Sequence, residues 1–119
     1  MTKKVDYDYS NCPIRNIIDK FGDKWSFLVL YHLHLNGTMR FNQLNREMAD
    51  CSQKMLSSTL RRLEKMKLVN RKVYPEVPPR VEYSLTETGM SLMPHIDGLI
   101  NWAIEHFDEV TGKTNTPIQ

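Results

Sequence analysis

Seven residues between positions 52 and 72 are cations (Lys54, Arg61, Arg62, Lys65, Lys67, Arg71 and Lys72), and only Glu64 is an acid. A net +6 in so short a stretch is the chemistry of polyanion binding, because each cation that meets a phosphate releases a condensed counterion. The flanking segments differ. Residues 1–51 hold seven bases against six acids, residues 73–85 set Arg80 against Glu76 and Glu82, and residues 86–119 set Lys113 against five acids. The overall charge of +2 therefore hides a polarity, with a middle that attracts nucleic acid and a C-terminal end that repels it. The plain alternative is a solvated helix face, and the place of the cations in the fold decides between the two.

Two thiols are the other reactive groups. Cys12 precedes Pro13 at an expected helix start, where unpaired N–H groups and the positive dipole end favour thiolate, so it is a candidate redox-sensing residue. Cys51 is the second candidate, and an inert buried thiol is the competing reading for both. The pair is too small for a disulfide scaffold and lacks Cys-x-x-Cys spacing. His32 and His34, two apart on an expected helix, point to different faces, so no metal is expected, and no cofactor either. There is no Gly-rich phosphate loop, nucleophile elbow or zinc-hydrolase motif. Cys12 as an enzyme nucleophile would need an adjacent base that the sequence does not offer, so no catalysis is expected.

The elements that must carry these groups fit one domain. The chain has 119 residues, 40% hydrophobic and 25% charged, a globular balance too short for two ordinary domains. Its longest apolar run, Phe27 to Tyr31, is far below a membrane span and its first ten residues are polar, so a cytoplasmic location without a membrane partner is expected. Residues 1–11 read as a flexible arm, 12–110 as the domain and 111–119 as a disordered tail.

Pro13 suits the first turn of a helix striped by Ile14, Ile17, Ile18 and Phe21 and ended by Gly22. Asp23 caps the next, Lys24 to about Leu35, which is apolar on nearly every side and so predicts the buried centre. After Asn36-Gly37 come a short strand over Thr38 to Arg40 and a short helix bearing Phe41, Leu44 and Met48. Ser52 caps a longer helix to about Met66, apolar along Met55, Leu56, Leu60, Leu63 and Met66. Its opposite face carries Lys54, Ser57, Ser58, Arg61 and Lys65, with Gln53 beside them. Two β segments, 69–74 and 80–85, flank Pro75-Glu76-Val77-Pro78-Pro79, whose three prolines predict a stiff protruding loop. Thr86 caps a last apolar helical region that Pro94 should kink or restart. Its stripe exceeds what a small core needs, which predicts packing on a second copy. Trp25, Phe41, Tyr83 and the methionines fall on apolar periodic faces, so core packing is favoured over an effector pocket.

This order is that of a winged helix-turn-helix, mainly α with a small β-hairpin (α+β), flanked by dimerisation helices. Charge and architecture meet on one element, the second helix of the turn motif, which lies in the major groove in this fold. Gln53, Lys54, Ser57 and Ser58 are then expected at base edges, with Arg61 available to guanine or phosphate. Arg62, Lys65 and Lys72 are expected on phosphates. Arg80 has two open roles: entering the minor groove, or pairing with Glu82 or Glu76.

Over residues 12 to 107 the sequence resembles the HxlR-type family of bacterial winged helix transcription regulators. The resemblance is carried by Cys12-Pro13, Gly22-Asp23-Lys24-Trp25, Arg40-Phe41 with Leu44, Ser52-Gln53-Lys54-Met55-Leu56 and Leu60-Arg61-Arg62-Leu63-Glu64. The most specific string is Tyr74-Pro75-Glu76-Val77-Pro78-Pro79-Arg80-Val81-Glu82-Tyr83, running into Leu85-Thr86 and Gly89. It implies a homodimer joined through N- and C-terminal helices, recognition by the second helix of the turn motif, and a wing that reaches the minor groove. Some members sense oxidants or electrophiles at this Cys-Pro position, and Cys51 is then a candidate intersubunit partner. The expected function is a homodimeric, sequence-specific regulator on double-stranded DNA with a palindromic operator, with repression favoured over activation and a small-molecule or oxidant effector left open. The alternative is a winged-helix protein-interaction module that does not touch DNA.

Overall fold

The computed structural model describes residues 12–112. The expected arm, 1–11, and the tail from residue 113 lie outside the described residues, while residues 111 and 112 of that tail are part of the folded chain. Helix α1 opens as a π-helical turn, Ile14–Ile18, continued by a helical turn, Asp19–Phe21. Then come α2 (Lys24–Asn36), β1 (Thr38–Arg40), α3 (Phe41–Glu47), α4 (Gln53–Lys65), β2 (Val69–Tyr74), β3 (Arg80–Leu85), α5 (Glu87–Glu105) and α6 (Phe107–Thr111). No helix among the described residues is long and apolar enough to cross a membrane.

Local chemistry sets most of these boundaries. The Asp23 carboxylate accepts from the Ser26 amide at 3.0 Å, and the Ser52 hydroxyl accepts from the Met55 amide at 3.0 Å, so both helices start where a side-chain acceptor satisfies a free N–H. Thr86 does the same for α5 through the Gly89 amide, while its hydroxyl donates to the Lys67 carbonyl at 2.6 Å. Gly37 ends α2 at φ +81, a conformation open to glycine, and its amide donates to the Leu33 carbonyl. At Gly89 the requirement is space: a Cβ there would run into the Leu68 carbonyl oxygen.

The core joins Val29, Leu30 and Leu33 of α2, Leu44 of α3, Leu56, Leu60 and Leu63 of α4, and Met93 and Ile96 of α5. Helix α2 is central but not buried all round, since Leu35 is 59% exposed. The strands form one antiparallel sheet in the order β1-β3-β2. β2 and β3 pair from Val69↔Leu85 to Tyr74↔Arg80, leaving the proline-rich segment as the wing tip with Val77 wholly exposed.

Of the two outcomes expected at Pro94, the restart does not occur: α5 runs through Pro94 to Glu105 and ends at His106. Met93 and Ile96, on either side of the proline, are buried in the core. Burying side chains of this size is worth about 1.5–3 kcal/mol each, which offsets a helix-interior proline cost of roughly 3 kcal/mol. Beyond them α5 and α6 leave Leu99, Trp102, Ile104 and Val110 more than half exposed, and Ile17 and Ile18 of α1 are as open.

Candidate nucleic-acid interface

Helix α4 has two chemically opposed faces. Leu56, Thr59, Leu60 and Leu63 are buried, whereas Gln53, Lys54, Ser58, Arg61 and Lys65 are exposed and Ser57 is half-buried. Lys54, Ser58, Arg61 and Lys65 fall at spacings of four, three and four, one line along the helix of roughly 16 Å at 1.5 Å rise per residue. The Ser58 hydroxyl donates to the Met55 carbonyl at 3.0 Å and keeps its lone pairs for an outside donor.

Arg62, expected on a phosphate, makes contacts within the molecule. Its Nε donates to the Lys20 carbonyl at 3.0 Å, and its Nη2 lies 2.9 Å from both Asp23 Oδ2 and the hydroxyl of the fully buried Ser26. One guanidinium thus ties α4 to the end of α1 and the start of α2. Burial alone would raise the Asp23 pKa, but the Ser26 amide, the Ser26 hydroxyl and Arg62 together hold it below its ordinary value.

In the wing, the ion-pair alternative for Arg80 is the one formed. Nη2 lies 3.1 Å from Glu76 and Nη1 3.6 Å from Glu82, with the guanidinium 3.9 Å from the centre of the Tyr74 ring. Lys72 stands on the same sheet face, its Nζ 5.0 Å from the Tyr74 ring centre. Arg71, one residue earlier, points the other way: it pairs in register with Tyr83 and lines a cleft with Leu60 and Arg61 of α4. Sequence reasoning chose Lys72 and passed over Arg71. The signal was present in the strand period, since Arg71 alternates with Lys72 and shares a face with the buried Val69.

A cationic helix face set beside a β wing, on a helix-turn-helix core, is the geometry against which comparison with known proteins is informative. The HxlR-like helix-turn-helix family model matches residues 20–111. The chain belongs to this family. An HTH-type transcriptional regulator of Methanothermobacter thermautotrophicus is 48% identical over 91 residues, 76% of this chain and 69% of that protein. The regulator YdeP of Bacillus subtilis is 39% identical over 109 residues, 89% of this chain and 84% of its own. Among solved structures, the redox regulator HypR in its reduced form superposes with a TM-score of 0.78 at 38% identity, covering 85% of this chain and 99% of that one. This HxlR-like chain is a DNA-binding transcription regulator, as its relatives are, and its fold is the winged helix expected from the order of elements.

The two thiols of the HxlR-like chain both turn inward. Cys12 is wholly buried; its carbonyl accepts from the Asn16 amide at 2.9 Å, and no side-chain cap is made at the start of α1. Cys51 is 4% exposed and its thiol donates to the Ser52 carbonyl at 3.5 Å. Burial, and next the neighbouring Asp50 charge, push the Cys51 pKa up against a smaller opposing pull from Lys24, so this thiol is held protonated. His32 packs edge-on against Tyr31 and His34 lies 3.5 Å from Asp97, so the two imidazoles do not converge. Trp25 and Phe41 pack against the core. An apolar cavity of about 500 Å³ lies elsewhere, between α1, the end of α4 and α5, lined by Ile17, Phe21, Met66 and Leu92 with Lys20 and His95 at its polar edge.

Proposed function

We propose that two copies of this chain bind a palindromic or pseudopalindromic operator as a homodimer, each inserting α4 into the major groove, and that occupancy represses transcription without catalysis. Half-sites about one helical turn apart, or a multiple of it, fit this arrangement. The carrying observation is the α4 stripe of Lys54, Ser58, Arg61 and Lys65, exposed on a helix whose other face is anchored by Leu56, Leu60 and Leu63. Gln53, Lys54, Ser57 and Ser58 are assigned to base edges, and Arg61 and Lys65 to guanine or phosphate. The exposed apolar faces of α1, α5 and α6 support pairing through terminal helices, because isolated monomers rarely leave such patches uncovered. Selecting bound sequences from random duplex DNA, alongside a mass measurement in solution, tests this reading. Enriched inverted repeats on a dimeric protein are expected; no enrichment from a protein that is monomeric would end it.

An oxidant response through Cys12 is the finer part of the proposal, supported by the likeness to HypR, named a redox regulator. Because the thiol is wholly buried, the segment around it must open before a reagent reaches it. Non-reducing electrophoresis after mild oxidant is expected to give a covalent dimer in the native chain and none in Cys12→Ser. A native chain that stays monomeric on the gel removes the bridge.

A further inference from the structure

The cations of the central segment divide by whether the protein already uses them. Arg62 and Arg80 are engaged, as described above. Among the described residues, neither Arg61 nor Arg71 has a carboxylate within 4.0 Å. Both line one cleft of about 400 Å³ between α4 and the wing, together with Ser57, Leu60, Glu64 and Tyr83. Two periodicities create it. Ser57, Arg61 and Glu64 recur at four and three residues and so form a line along α4, while Arg71 and Tyr83 are cross-strand partners on the sheet face beneath them. Leu60, buried, is the floor.

Every polar end in this cleft is uncommitted. Among the described residues, the hydroxyls of Ser57 and Tyr83 make no hydrogen bond and the two guanidinium groups make no ion pair. If Arg61 or Arg71 served the fold alone, Glu64 in the same cleft would be the natural partner, yet no pair forms. We propose that this cleft seats one backbone phosphate of duplex DNA. Arg71 supplies a planar fork from the wing, Arg61 a second from α4, and Ser57 and Tyr83 supply hydroxyl donors. The inference rests on the DNA-binding reading and adds a fixed point to it. A phosphate held between helix and wing sets how far α4 advances along the groove, as backbone contacts set register without reading sequence. Glu64, the one acid present, opposes the anion and is outnumbered by the two arginines.

The test is binding of the full chain to a fluorescent random-sequence duplex, followed by anisotropy over a salt series, with folding of each variant checked by circular dichroism. Arg71→Gln is expected to weaken binding and lower the log-log salt slope by about one unit. Lys72→Gln, on the opposite sheet face, is expected to leave the slope unchanged, and Glu64→Gln to tighten binding. Arg71→Lys keeps the charge and is expected to keep the slope while binding less tightly. If the native chain binds and Arg71→Gln matches it in affinity and slope, or Lys72→Gln loses as much, the seat is overturned. If the native chain shows no salt-dependent binding at all, the DNA reading itself fails. Exchanging chloride for inorganic phosphate at fixed ionic strength separates the sources of phosphate. A duplex seat keeps the ratio between native and Arg71→Gln affinities, whereas a seat for the free anion loses it and sinks the assignment to DNA.

Discussion

Arg61 and Arg62 are neighbours in the chain and opposites in the molecule. Arg62 lies where α4 meets the end of α1 and the start of α2, and its guanidinium is held by a carbonyl, a carboxylate and a hydroxyl. Arg61, one step of roughly 100° around the helix, reaches none of these and faces the cleft beside the wing. The same division runs through the sheet, where Arg80 is paired and Arg71 is not. Positive charge in this segment is therefore divided: Arg62 ties α4 to α1 and α2 and Arg80 is held within the wing, while Arg61 and Arg71 make no ion pair.

The sharpest contrast is between the buried face of α4 and its exposed one. Leu63→Ala, at a fully buried position, is expected to lower unfolding free energy by about 2–5 kcal/mol in denaturant titrations at fixed protein concentration. Arg62→Ala is expected to cost about 1–2 kcal/mol, the value of charge-assisted hydrogen bonds reduced for partly exposed groups. It should also weaken DNA binding while leaving the salt slope unchanged, because α4 is loosened without a phosphate contact being lost. A slope that falls by about one unit in this variant would put Arg62 back on the DNA.

Acid probes the same clip. The folded Asp23 pKa is below its ordinary 3.8, so its contribution is present above that value and is lost as pH falls through the lower folded value. Asp23→Asn is expected to flatten the acid limb of stability against pH; an unaltered limb would remove Asp23 from the clip. A smaller effect is expected at Lys67, which follows the C-cap of α4, Met66, and has φ +60. Lys67→Gly should relieve about 1 kcal/mol of left-handed strain, read as a higher unfolding midpoint. The smallest stability change belongs to Arg61→Ala, within about 0.5 kcal/mol, yet it should lower both DNA affinity and salt slope. If Arg61→Ala and Arg62→Ala behaved alike in both assays, the division between the two arginines would fail.

Much of the fold was readable in the chain. The caps Asp23, Ser52 and Thr86, the apolar line of Leu56, Leu60 and Leu63, and the proline tip of the wing each follow from rules acting over a few residues. The exposed line of α4 was equally legible, because helical period alone groups Lys54, Ser58, Arg61 and Lys65 on one side. The placement of Arg71 on the face towards α4 was legible in principle through strand alternation, which sets it opposite Lys72.

The amino-acid order by itself determined which elements form, where they begin, and that one helix would carry a band of positive charge, since those outcomes depend on spacings shorter than a few turns. Only the tertiary structure decided what each charge does. Arg62 meets Asp23 and Lys20 across 39 and 42 positions of chain, and Arg71 shares a cleft with Arg61 only because β2 folds back under α4. The passage of α5 through Pro94 and the burial of both thiols belong to the same class. Each depends on packing between distant segments, and such packing leaves no mark in local spacing or composition.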